Sequence, residues 1–139
     1  MKAHVVARRI VGDSHEIDLG EGREIVVDEP VADGGTDTGP RPGQLLAASL
    51  AGCTAITIEL YAKRKGWEIE GLEVAVDMSS AGGEVPSHAV PTHFTVEVAL
   101  PSNLDDEQRR RLMVIAEKCP VHKLLEHGAE ITVAERAPD

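Results

Sequence analysis

The sequence predicts an α+β fold with antiparallel sheets, and three observations carry that reading. Runs that alternate apolar and polar residues come in groups, at the start of the chain and again beyond residue 66, and are not interleaved singly with helices. Tight-turn signals at Gly12-Asp13 and Gly20-Glu21-Gly22 join the first group into a meander. Between them lies PGQLLAASLAGCTAITIELYAKRKG, in which no charge occurs from Arg41 to Glu59.

In order, residues 2–12 read as a strand, DSHEIDLG as a second and EGREIVVDEP as a third, so that 1–30 form an N-terminal meander. DGGTDTGP, residues 33–40, is a loop of turn formers. A helix over 42–65 follows: Pro42 suits a first turn, Gly66 a C-terminal cap, and Lys63, Arg64 and Lys65 complement the dipole of the last turn. It would be about 36 Å long. Its first four turns are apolar on every face, which predicts a buried central helix. Residues 67–80 and THFTVEVAL alternate and read as a hairpin around the loop SSAGGEVPSHAVP. LDDEQRRRLMVIAEK reads as a helix capped by Ser102 or Asn103, with Ser102 and Asp105 approximating a capping box. Pro120 opens a short helix PVHKLLEH that Gly128 ends, and AEITVAE reads as a last strand. The 67–135 region thus holds a hairpin, two helices and a final strand, and 1–139 forms one domain.

Bulk properties narrow the function. A net charge of −10, with 24 acidic against 14 basic residues, excludes a nucleic-acid surface and gains nothing from anionic membranes. The basic triplets Lys63-Arg64-Lys65 and Arg109-Arg110-Arg111 read as solvated helix surface. The N-terminus has no apolar signal core, and the 45–60 run is short for a bilayer span and interrupted by Ser, Gly, Thr and Glu59. A cytoplasmic protein is expected, with no membrane or nucleic-acid partner. Covering a helix apolar all round with two other helices is hard, so a homodimer with its long helices packed together is expected.

The two cysteines, Cys53 and Cys119, stand 66 residues apart. In a reducing compartment they make an unlikely permanent staple. Cys53, about three turns into its helix among Leu and Ala, would have its pKa raised by burial, and activation would need a cation from another segment. Read from residues alone it is either a core thiol or a redox thiol. Cys119 precedes Pro120 near a helix N-terminus, where amide donors favour an anion, and His122 is three residues on. Cys119-x-x-His122 is also half of a zinc set, which Cys53 would have to help complete. Ser14 and His15 are strand neighbours on opposite faces and form no dyad. No nucleotide-binding or hydrolase motif occurs, and no cofactor is expected.

Gly39-Pro40-Arg41-Pro42-Gly43-Gln44-Leu45-Leu46-Ala47-Ala48-Ser49-Leu50-Ala51-Gly52-Cys53-Thr54-Ala55 resembles the central helix of the OsmC/Ohr family, and Ala116-Glu117-Lys118-Cys119-Pro120-Val121-His122 resembles its second cysteine motif. The order of elements matches over essentially the whole chain. The resemblance implies an interlaced homodimer with active sites at the subunit boundary, acting as a thiol peroxidase in the response to oxidative stress. Cys53 would attack an organic hydroperoxide and become a sulfenic acid; Cys119 would resolve it as a disulfide, which a cellular dithiol reduces.

The family's best-known members carry a glutamate ten residues before the first cysteine. Here that position is Gly43, followed by Gln44. Their activating arginine has no secure match among Arg8, Arg9, Arg23 and Arg41. Arg41, Arg9, His122 and Gln44 are therefore the candidates for thiolate activation, with His15 a further possible substitute. The rival reading is a non-catalytic dimer that binds a small apolar ligand in the same cleft, followed by a zinc protein using Cys119 and His122.

Overall fold

A computed structural model describes residues 1–80 and 91–138. The middle of the 79–91 loop lies outside the described residues. The described architecture is α+β, with antiparallel sheets and three α-helices.

The N-terminal meander comprises β1 (Val6–Val11), β2 (Ser14–Gly20) and β3 (Arg23–Val27), paired antiparallel in chain order. Register shifts between Arg9 and Val11 and between Asp18 and Gly20 take up the two tight turns. The first strand starts later than the sequence predicts. Its first pair is Val6 with Asp18, next to the register shift at the end of β2, and Val5, Ile10 and Val11 are exposed.

A short 3₁₀ turn, Val31–Asp33, leads into a loop organised by Asp28. The Asp28 side chain is buried. It accepts the backbone N–H groups of Glu29 (2.7 Å), Thr36 (3.2 Å) and Thr38 (3.2 Å) and the hydroxyls of Thr36 and Thr38. Asp28 N–H donates to Pro40 C=O at 3.0 Å, so strand end and helix start are tied through one residue. The loop needs its glycines for close approach: a Cβ on Gly35 would lie 1.9 Å from Glu29 O, and one on Gly39 2.3 Å from Val26 O.

α1 spans Pro42–Lys65, as the sequence predicts, and Gly66 ends it in the left-handed conformation (φ 71°). Its burial departs from expectation. Only the stripe Leu50, Thr54, Ile58 and Ala62, one residue per turn, is buried. Leu46, Ile56 and Leu60 are exposed, the last two by 60% and 58%. One stripe is all that a hairpin and two short helices can cover. By length and composition α1 could cross a membrane; its buried stripe, packed on the next helix and the hairpin, is that of a folded domain.

β4 (Glu73–Ser79) and β5 (His93–Ala99) form the hairpin. Val74, Val76 and Met78 face Val98, Val96 and Phe94 across it on the half-buried side. α2 (Asp106–Ala116) is capped by Asp105, not by Ser102 or Asn103. Asp105 accepts Gln108 N–H at 2.7 Å and donates its own N–H to Gln108 Oε1 at 2.9 Å, a reciprocal box three residues later than the one expected. Ile58 and Ala62 of α1 pack on Leu104, Leu112 and Ala116, with Trp67 and Val98 at the margin, and this is the core. α3 (Pro120–His127) follows directly.

The expected last strand over 129–135 does not form: residues 129–138 have no regular structure, and Ile131 and Val133 are 84% and 92% exposed. A strand exists only beside another edge that takes up its N–H and C=O groups, and none of the described strands pairs with it.

Candidate functional site

The fold brings the two cysteines together. Cys53 projects from the middle of α1, and Cys119 is the N-cap of α3, which packs on α1. Both are free thiols, and Cys119 is close enough to perturb the titration of Cys53. Cys119 is fully buried, whereas Cys53 retains access. Pro120 explains the placement of the second thiol: as the first residue of α3 it needs no hydrogen-bond partner, and Cys119 closes the helix end in extended backbone.

The α3 N-terminus supplies a donor to Cys119. His122 N–H donates to Cys119 Sγ at 3.5 Å. Burial pushes the Cys53 thiol above its ordinary pKa, and its neighbour Cys119 adds to the rise through hydrogen bonding and charge. The backbone N–H of Val121 and the side chain of Thr57 pull the other way without reversing the shift. Among the described residues, no cation contributes to this shift.

The candidate activators lie apart from it. Arg41 is the N-cap of α1, twelve residues and about 18 Å of helix before Cys53. The Gln44 carboxamide accepts the Arg41 backbone N–H at 2.9 Å, so it serves the helix end. Arg9, exposed on β1, donates from Nε to Gly12 C=O at 3.0 Å. Only His122 stands beside the thiols, its Nε2 3.4 Å from Glu126 Oε2. Burial opposes ionisation of Glu126, but His122 and Lys123 outweigh it and hold that carboxyl below its usual range. His15 turns its Nδ1 to Asp13 C=O at 2.9 Å, while Ser14 is buried near Thr38, so the two do point apart.

At Gly43 a Cβ would lie 2.8 Å from Met78 Cε, the flexible tip of a β4 side chain, which would have to shift to admit a larger residue. Beside the thiols, α3 and the hairpin enclose a cavity of about 320 Å³ lined by Leu50, Phe94, Val96, Leu125 and the His122–Glu126 pair. It adjoins a wider groove reaching Leu46 and Met78. The lining mixes apolar side chains with the polar groups of Thr92, His122 and Glu126, as a site for an apolar molecule with a polar end requires. Among the described residues, no group of three or more His, Cys, Asp or Glu is arranged to hold a metal.

The Asp28 network and the His122–Glu126 pair were not foreseen. The second had a signal, the i,i+4 spacing of His122 and Glu126 on a predicted helix.

Fold and site together define an α+β protein with two neighbouring free thiols beside a cleft of mixed apolar and polar lining. A family model described as OsmC-like protein matches residues 35–134, and the chain belongs to that family. Among solved structures it is similar to the organic hydroperoxide resistance protein OhrB of Bacillus subtilis, with 27% identity, 88% of this chain and 89% of that chain covered, and TM-score 0.58. It is also similar to an OsmC-like protein from Mycoplasma pneumoniae (21%, 91% and 88%, TM-score 0.71) and to an organic hydroperoxide resistance protein OsmC from Legionella pneumophila (19%, 88% and 88%, TM-score 0.66). Comparison with curated proteins gives no match. The family points to a peroxide-related redox function.

Proposed function

We propose that this protein is a thiol-dependent reductase of organic hydroperoxides that works as a homodimer. The observation that carries the reading is the meeting of two free thiols, 66 residues apart in sequence, at a helix N-terminus beside a cavity lined in part by Leu50, Phe94, Val96 and Leu125. The Cys53 thiolate attacks the peroxide oxygen. The O–O bond breaks, the alkoxide takes a proton and leaves as an alcohol, and Cys53 becomes a sulfenic acid. The Cys119 sulfur then attacks the Cys53 sulfur, water leaves, and a disulfide forms. A cellular dithiol exchanges with it and restores both thiols.

The missing element is the cation, and dimerisation supplies it. The exposed apolar face of α1, the unpaired 129–135 segment and the exposed strand β1 are what an interlaced second copy would cover. Arg9 or Arg41 of that copy would then ionise Cys53. The reading takes a reducing, cytoplasmic setting, with neither membrane nor nucleic acid as partner.

The test is thiol titration. Cumene hydroperoxide should consume both thiols, Cys53→Ser should abolish turnover with a dithiol, and Cys119→Ser should leave a sulfenic acid that dimedone traps. Two thiols that stay titratable after peroxide would end the reading.

A second reading has its own support: the raised Cys53 pKa and a glycine, Gly43, where an activating carboxylate would stand. Here the dimer binds a small apolar ligand in the same cleft without chemistry. Cys53→Ser would then leave affinity for the ligand unchanged.

A further inference from the structure

Away from the thiols, the C-terminal end of α1 and the outer face of α2 border a groove of about 640 Å³, within the range of small-ligand sites. Two of the chain's three aromatic residues meet there. Tyr61 and Trp67 stand edge to face, their ring centres 5.8 Å apart at 67°. Three cations surround the Tyr61 ring: the guanidinium carbons of Arg111 and Arg64 at 5.3 and 5.8 Å from its centre, and Lys65 Nζ at 5.6 Å. Arg111 Nε donates to the Tyr61 hydroxyl at 2.8 Å, which holds the guanidinium in place and leaves its outer fork unused by that contact. Arg110 lines the same groove.

In a chain with net charge −10, this cluster reverses the local sign. Among the described residues, none of Arg64, Lys65, Arg110 and Arg111 has a carboxylate within 4.0 Å. Two acidic residues do line the groove. Asp105 is committed to the α2 cap, leaving Glu107 as the nearer competitor for the cations. Ring faces offset part of the repulsion among clustered cations, and an anion would offset more of it.

We propose that this groove binds a small, flat aromatic anion, its ring against Trp67 and Tyr61 and its acid group on Arg110, Arg111 and Lys65. An aryl carboxylate and an aryl phosphate share that chemistry, because the arginine fork fits either group. A nucleic acid is disfavoured, since the acidic remainder of the surface repels a long polyanion.

Trp67 is the only tryptophan, so its indole N–H resonance reports the groove alone. Naphthalene-2-carboxylate, titrated into the full-length protein, should shift that resonance saturably with a Kd below about 1 mM. Phenyl phosphate should do the same if the site takes both acid groups. Naphthalene-2-methanol, which has the ring without the charge, and acetate, which has the charge without the ring, should bind at least about tenfold more weakly. Raising the salt should weaken the carboxylate severalfold. An R110Q/R111Q variant with unchanged circular dichroism should lose about tenfold in affinity, and Lys65→Gln gives a milder second probe. A C53S/C119S protein should bind like the unsubstituted chain, which separates this site from the peroxide chemistry. No saturable shift, equal binding of the neutral alcohol, or an R110Q/R111Q variant that melts earlier yet keeps its affinity would each overturn the proposal.

Discussion

Asp28 and Cys53 are both acidic groups at the heart of this molecule, and the chain treats them oppositely. Asp28 is surrounded by donors, the Thr36 hydroxyl foremost, which outweigh its burial and hold its carboxyl well below the usual range. For Cys53, burial and a second sulfur outweigh what Val121 and Thr57 contribute, and its pKa rises. The difference separates a structural anion from a chemical one. A carboxylate that pins a loop must be complete within its own chain. A sulfur that must meet substrate and a resolving thiol stays partly open, and in the proposed dimer its charge is completed from outside.

The comparison can be broken at several points. Cys53→Ser carries the largest expected effect: dithiol-coupled peroxide consumption should fall by at least about a thousandfold, because the attacking atom is lost. Residual turnover near that of the unsubstituted protein would refute the role of Cys53.

Asp28→Asn comes next. It leaves the amide donors of the 28–41 loop facing a neutral partner, so the melting temperature should fall. The pH dependence should change as well. The folded pKa of Asp28 lies below its unfolded value of about 3.9. Its contribution is therefore fully present above that value and is lost as pH falls toward the folded pKa. Urea melts of the unsubstituted chain should show stability dropping below about pH 4, and the Asn variant should lose that part of the slope.

The comparison sharpens if assembly is varied. In a protein diluted or mutated to monomer, for example with Leu60→Glu on the exposed face of α1, the iodoacetamide reactivity of Cys53 should rise about tenfold per pH unit through neutrality, as for a thiol with a raised pKa. In the dimer the midpoint should be lower. Identical midpoints would show that no cation arrives with the second copy.

Thr54→Val should have the smallest effect. The Thr54 hydroxyl is buried beside Cys53 in sequence and makes no hydrogen bond among the described residues. Replacing it with a methyl should stabilise the fold by about 1 kcal/mol, measured by denaturant midpoint, without changing Cys53 reactivity.

Most of the scaffold was legible in the sequence for local reasons. Pro42, Gly66 and the Lys63-Arg64-Lys65 turn bound α1, and alternation at Val74, Val76, Met78 against Phe94, Val96, Val98 defined the hairpin. Pro120 and Gly128 bounded α3. These signals act within a few residues, where backbone geometry and dipoles are felt directly. The cap of α2 was misplaced because Ser102, Asn103 and Asp105 are all good caps, and only packing against Leu104 and Leu112 chooses among them.

What the sequence alone determined was the inventory: which segments become helix or strand, two thiols, a greasy stretch of α1 and a shortage of cations near it. The tertiary structure decided what met what. It put Cys119 beside Cys53, placed Met78 against Gly43, gathered donors from eight and ten residues away around Asp28 and left residues 129–135 without a strand to join. Local propensity is set by neighbours along the chain. Contact between distant residues is set by how buried surfaces share a limited interior, and no stretch of sequence contains that by itself.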